Sequence, residues 1–378
     1  MLAKTKLIDE TLREGIQSPK VYLQTKDKKK VLDDLINAHL SYIEIGMINS
    51  SKKDYIFFKD SLKRHDPDRL FISILANKTP LYALSELKAK NYFMITPISD
   101  ILIDIKFNIN HKEYIKNLIS VVKLARELKL PPPFVGMEDS ARCNKDFMME
   151  MILALKKEGC SQFVYSDTNG ILMPKEFKDD IKLLQQIPDI ELSVHIHNDS
   201  GLAMNNTINA IDMGVEYVMS TINGMGERAG ICDTLQLANY LNRTQGNKFD
   251  LGLISDLSEF TAKETKWNTP PNQPFIGENL FRCETGTHVA ALIENQESYL
   301  PYTFFIREKK LEIGLSINSG KKAIHHFLQK EDLHHIEVTD VLMENFKEEL
   351  NNTPDPSLLK KEDYKSILKK IYTQIENN

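Results

Sequence analysis

Eight short runs rich in β-branched and aromatic residues punctuate the first 221 residues, at 6–9, 42–45, 70–75, 92–96, 134–137, 162–165, 191–196 and 217–221. Each reads as a strand. The segments between them carry apolar residues at three- and four-residue spacing. Over 112–128, Leu118, Val121, Val122 and Ala125 share one helical face, and over 144–157, Met148, Met151, Ile152 and Leu155 do the same. Strand and helix therefore alternate eight times. That is the order of parallel βα units, and eight of them in this length match a closed barrel. An open doubly wound sheet would place a GxGxxG turn after its first strand, whereas this chain has Thr11-Leu12-Arg13-Glu14-Gly15 there. The predicted fold class is α/β: a (β/α)8 TIM barrel over 1–245, followed by a small, mainly helical C-terminal region.

Beyond about Thr244 the pattern loosens. A helical stretch near 254–266 precedes Asn268-Thr269-Pro270-Pro271-Asn272-Gln273-Pro274, which reads as an extended linker. Amphipathic helices are expected after Lys321, and a charged, solvated tail past Asn351. The region 246–378 thus forms linker and subdomain.

Composition narrows the function classes. The 48 basic and 53 acidic side chains leave a net charge of −5 without a basic face, so nucleic acid is not an expected partner. Cys143, Cys160, Cys232 and Cys283 lie far apart with no CxxC pair, which argues against a thiolate zinc site or a disulfide framework and suits a reducing cytoplasm. No window approaches the roughly 20 apolar residues that span a bilayer. A soluble cytoplasmic protein without a membrane partner is expected.

His195-Ile196-His197 ends the seventh strand, and a two-residue period puts both imidazoles on one face. Strand ends ring one mouth in a barrel, so a carboxylate after strand 1, Glu14 or Asp9, can complete a two-His, one-carboxylate metal site with open positions for substrate. The alternative is one core histidine and one stacked at the rim. Arg13 beside Glu14 can stabilise negative charge on an oxygen or form a rim salt bridge. Glu138-Asp139 and Asp167-Thr168 follow strands 5 and 6 and add carboxylates and a hydroxyl to the mouth. After strand 8, Asn223-Gly224-Met225-Gly226-Glu227-Arg228-Ala229-Gly230 can bring backbone amides to an anion, although any sharp turn there also needs glycines.

Together, Asp9 to Gly15, His195 to Asp199 and Asn223 to Gly230 resemble the isopropylmalate and homocitrate synthase family of DRE-TIM metalloenzymes in order and spacing. The resemblance continues through Glu138-Asp139-Ser140-Ala141-Arg142, Asp167-Thr168-Asn169-Gly170, Pro274 to Val289 and Ser319-Gly320-Lys321, covering residues 5–325. It implies condensation of acetyl-CoA with a 2-oxo acid to a 2-alkylmalate or homocitrate-type product. A divalent metal (zinc, manganese or magnesium) would be held by Glu14, His195 and His197. Arg13 would stabilise the oxyanion, Thr168 would hold the oxo-acid carboxylate, and Arg142 could pair with a distal carboxylate. His288 would remove the acyl methyl proton, with Glu138 and Tyr299 as helpers. The loop of Asn223, Gly224, Gly226 and Glu227 would lie on the CoA side. In relatives the second region crosses to the partner barrel, so a domain-swapped homodimer is implied, and no regulatory domain is expected.

The sequence departs from the family at Ile16, Asn169 and Ile231, and the Arg-x-x-x-His element beside the third strand is replaced by Ser73 to Lys78. The oxo acid is therefore open. Two rivals are a hydroxymethylglutaryl-CoA lyase-type carbon–carbon lyase, whose cysteine-bearing loop this chain lacks, and a catalytically silent metal-binding barrel.

Overall fold

The computed structural model describes residues 4–48, 51–300 and 311–377. Eight strands, β1 Lys6–Asp9, β2 Tyr42–Met47, β3 Leu70–Leu75, β4 Asn91–Pro97, β5 Phe134–Glu138, β6 Gln162–Asp167, β7 Glu191–Ile196 and β8 Tyr217–Ser220, pair in chain order. The barrel closes where β1 pairs parallel with β8, Leu7 opposite Val218 and Asp9 opposite Ser220. Every expected strand is present, and the fold is the closed parallel barrel that the alternation implied.

Most connections are amphipathic helices: α1 Thr25–Asn37, α2 Lys52–Arg64, α3 Thr79–Leu87, α4 Asp100–Lys106, α5 His111–Glu127, α6 Lys145–Lys157, α7 Pro174–Leu184, α8 Ala203–Asp212, α9 Thr234–Gln245 and α10 Leu251–Thr265. Their starts follow local chemistry. Asn110 caps α5 through the Glu113 amide, Asn144 caps α6 through the Phe147 amide, and Asp233 caps α9 through the Gln236 amide. Inside the barrel, alternate strand residues stack into layers. The lowest is aromatic, with Phe71 stacked on Phe93 at 4.6 Å and edge-on to Phe134 at 4.9 Å.

The chain divides into two compact units, Met1–Asn268 and Thr269–Asn378. Helix α10, placed by the sequence in the second region, belongs to the first unit: Ile254 and Leu257 are buried, and the Asp250 amide bonds the Ala38 carbonyl at the end of α1. The second unit holds α11 Gly286–Glu294, α12 Lys321–Lys330, α13 Asp340–Asn352 and α14 Lys361–Glu376, with a two-residue pairing of β9 Arg282–Cys283 and β10 Glu312–Ile313. The tail past Asn351 is not the solvated segment expected. Tyr364, Leu368 and Ile371 on α14 fall at helical spacing and pack into a cluster with Phe346 and Leu350, a stripe hidden in the sequence by the charges on the other face. No helix among the described residues is long and apolar enough to cross a membrane.

Candidate active site

The site is built at the C-terminal ends of the barrel strands, where β1, β7 and β8 meet. After β1 the chain makes a compact turn in which the Arg13 and Gly15 amides both bond the Glu10 carbonyl. This swings Glu14 toward β7. The loop after β8 holds it there: the Glu227 amide donates to Glu14 Oε1 at 2.9 Å. A Cβ at Gly226 would stand 2.8 Å from the same oxygen, so only glycine permits this approach. At Gly230 a Cβ would meet the Gly224 carbonyl oxygen at 1.8 Å, in a backbone with φ +72°. The glycines of this loop thus serve a tight turn whose amide faces the Glu14 carboxylate, while Asn223 turns to the Ser258 carbonyl.

His195 and His197 face each other as the strand period requires, with Nε2 atoms 3.2 Å apart and His197 Nε2 3.9 Å from Glu14 Oε1. One donor atom from each of Glu14, His195 and His197 lies within 4.8 Å of the others, and all three residues are buried. Two nitrogens each about 2.1 Å from one ion, at tetrahedral or octahedral angles, would stand about 3.0–3.4 Å apart, so the observed spacing fits a shared cation. Protonation agrees. Burial, with Arg13 adding, pushes the His195 imidazole down to about 4, and burial, with His195 adding, pushes His197 to about 3. Burial is the largest influence on the Glu14 carboxyl and would raise it, but Arg13, the two imidazoles and the Glu227 amide together outweigh burial and hold it at about 2. Neutral imidazoles beside a carboxylate form a ready set of ligands.

Two carboxylates unflagged by the sequence support this set. Glu10 Oε2 lies 2.6 Å from His195 Nδ1, which leaves Nε2 as the ring's donor atom toward a cation. Glu44, on β2, takes Arg13 Nε at 3.0 and 2.9 Å, while Arg13 also donates to Glu14 at 2.5 Å and to Glu10 at 3.0 Å. Arg13 is therefore a buried cation among three carboxyl groups. Burial, with Glu10 adding, outweighs Arg13 and raises Glu44 to about 8, and Ser73 Oγ hydrogen-bonds it as well. A lone Glu in the apolar run Tyr42-Ile43-Glu44-Ile45 is the signal that could have found it. Asp9, the other candidate ligand, is not in the cluster. It accepts from the Thr11 amide and the Thr234 hydroxyl, tying β1 to α9.

Thr168 and Glu138 reach the same cavity of about 320 Å³ as Arg13, Glu14, His195, His197 and Glu227. The Asp139 amide donates to Thr168 Oγ1 at 2.8 Å, and Lys106 from α4 grips Glu138 at 2.8 and 3.0 Å. Nothing in the spacing of the sequence announced Lys106, because only the barrel brings α4 beside β5. Arg142 does not line the cavity. Its guanidinium forks onto the buried Asp139 at 2.8–3.1 Å, and Asn169 donates to the same carboxylate, which fastens the loop after β5 to the one after β6. Of the other departures, Ile231 is buried and forms an isolated bridge with His197, and Ile16 lies in the turn after β1. His288 and Tyr299 lie in the second unit, their rings stacked at 4.1 Å.

An (R)-citramalate synthase of Methanocaldococcus jannaschii is 28% identical over 93% of this chain and 71% of its own length. A homocitrate synthase of Methanothermobacter thermautotrophicus is 26% identical over 86% of this chain and 83% of its own. Among solved structures, the hydroxymethylglutaryl-CoA lyase of Pseudomonas aeruginosa superposes with a TM-score of 0.64 at 19% identity, over 74% of this chain and 98% of that one, a likeness of fold. The family model described as HMGL-like matches residues 4–261, well over half of the chain, and the protein belongs to that family.

Proposed function

We propose that the protein is an acyltransferase that joins the methyl carbon of acetyl-CoA to the carbonyl carbon of a 2-oxo acid, water then cleaving the thioester to release CoA. The observation that carries this reading is the convergence of Glu14, His195 and His197 beside the buried Arg13 in one cavity. The relatives named as citramalate and homocitrate synthases support it. A divalent cation held by those three residues would act as a Lewis acid on the oxo-acid carbonyl.

The chain's own groups do the rest. Arg13, fixed by three carboxyl groups, presents a fixed positive charge to the oxygen on which negative charge grows. Because Thr168 Oγ1 already accepts from the Asp139 amide, its own proton is free to bind the substrate carboxylate. His288, stacked on Tyr299, is assigned removal of the acyl methyl proton, and in a homodimer it would come from the second copy of the chain. Glu138, gripped by Lys106, is assigned to the same step as a helper. A cytoplasmic setting completes the proposal.

Release of free CoA thiol from acetyl-CoA, followed with divalent metal across a panel of 2-oxo acids, tests it. Thiol release that requires one oxo acid, and that disappears in His288→Ala while metal binding survives, is the expected result. Full activity of that variant would refute the assigned base, and no release with any acid would refute the synthase reading.

A further inference from the structure

One residue at the rim of the site stands in a backbone conformation that an L-residue rarely adopts. Asp139, just after β5, has φ +66° and ψ +41°, the left-handed region, which persists only where the surroundings enforce it. The fully buried carboxylate supplies that enforcement. It accepts from the Ser99 hydroxyl before α4, from the Arg142 fork at 2.8–3.1 Å and from the Asn169 side-chain amide at 3.0 Å. The loops after β4, β5 and β6 thus converge on its two oxygens. Net stability is not what such a pair yields, because taking a carboxylate out of water offsets most of the attraction.

The geometric result is felt at Thr168. The left-handed turn aims the Asp139 amide at Thr168 Oγ1, 2.8 Å away, and the Arg228 guanidinium, paired with Asp199 at 2.8 Å, bonds the Thr168 carbonyl. Hydroxyl and carbonyl are both held. A hydroxyl has one proton and two lone pairs, so with the amide on one lone pair its proton stays available to a group in the cavity that Thr168 lines.

We infer that Asp139 is a positioning residue for the 2-oxo acid: its carboxylate holds the left-handed turn, the turn fixes the Thr168 hydroxyl, and Thr168 meets the substrate carboxylate already oriented. This rests on the synthase reading, which assigns that carboxylate to Thr168. Without the Asp139 carboxylate the loop relaxes toward ordinary backbone conformations. The apparent dissociation constant for the acid then grows by the inverse of the fraction that remains oriented. Strain and lost carboxylate can be separated, because glycine enters the left-handed region freely and alanine does not.

The test uses pyruvate, 2-oxoisovalerate and 2-oxoglutarate. For each, calorimetry gives binding to the metal-loaded protein without acyl-CoA, and thiol release gives KM. The variants are Asp139→Gly and Asp139→Ala, each alone and combined with Thr168→Val or Thr168→Ser. For the acid that binds most tightly, Asp139→Ala should raise both constants about 10-fold or more, and Asp139→Gly about 5-fold less than that, with KM for acetyl-CoA and metal affinity near those of the wild type. The loss should persist beside Thr168→Ser and shrink to under about 2-fold beside Thr168→Val. Equal losses in both Thr168 backgrounds, a glycine variant no better than alanine, or unmoved constants would overturn the inference and leave the synthase reading intact. Hydrogen exchange of the backbone is followed in parallel. If no acid binds or releases thiol, the synthase reading fails and exchange decides the role of Asp139: at least about 10-fold faster exchange over 97–101, 138–143 and 167–171 in Asp139→Ala, with 193–197 unchanged, supports it. Faster exchange confined to 138–143, or none, overturns it.

Discussion

The floor and the mouth of the barrel are built from the same strands two residues apart, yet they are held together by different forces. Along β2, β3 and β5, and from β1 into the residue that follows it, Tyr42, Phe71, Phe134 and Ile8 below become Glu44, Ser73, Gly136 and Glu10 above. Below, Phe134 packs edge-on to Phe71 at 4.9 Å and to Tyr217 at 5.4 Å, contacts that need shape and little else. Above, Arg13 stands among Glu10, Glu14 and Glu44, and the arrangement holds only while each charge keeps its partners. The floor contributes stability, while the mouth spends it on chemistry.

The largest effect should come from the mouth. Arg13→Met leaves three buried carboxyl groups without their cation, so unfolding in denaturant should show a loss of about 3–5 kcal/mol together with loss of thiol release. An unchanged midpoint would mean that the carboxyl groups do not depend on Arg13. Phe134→Ala breaks the comparison from the other side. It should lower stability by about 3–5 kcal/mol through the cavity left in the floor, yet leave metal affinity measured by calorimetry near that of the wild type. A large fall in affinity would show that floor and mouth are one cooperative unit. Smallest in energy, Glu10→Gln should weaken metal binding about 10- to 100-fold, because the amide is a poorer partner for His195 Nδ1 than the carboxylate. Affinity unmoved by that change would remove Glu10 from the support of the site.

Much of the architecture was legible because a barrel is written in local patterns. Strands β1, β3 and β7 fall at 6–9, 70–75 and 191–196 as read, and the others differ at their ends by one or two residues. The pair His195 and His197 was legible for the same reason, since a period of two places both rings on one side. What escaped was set by distant contacts. Glu10 was passed over beside Asp9 and Glu14 because three nearby acids look alike until the turn after β1 sends Asp9 to Thr234, Glu10 to His195 and Glu14 to the Glu227 amide. Arg142 resembled a substrate ligand until Asp139 took it. The helical face of α14 was masked by the charges on its exposed side.

The sequence by itself determined the order of strands and helices, the closed α/β class and the presence of two imidazoles and a carboxylate at one mouth, because hydrophobic periodicity and strand-end position are local properties. Only the tertiary structure decided which acid joins the histidines, which carboxylates restrain Arg13, and that Gly136 faces a cavity. Those outcomes depend on which side chains from strands tens to hundreds of residues apart arrive within hydrogen-bonding distance, and burial then fixes their charge.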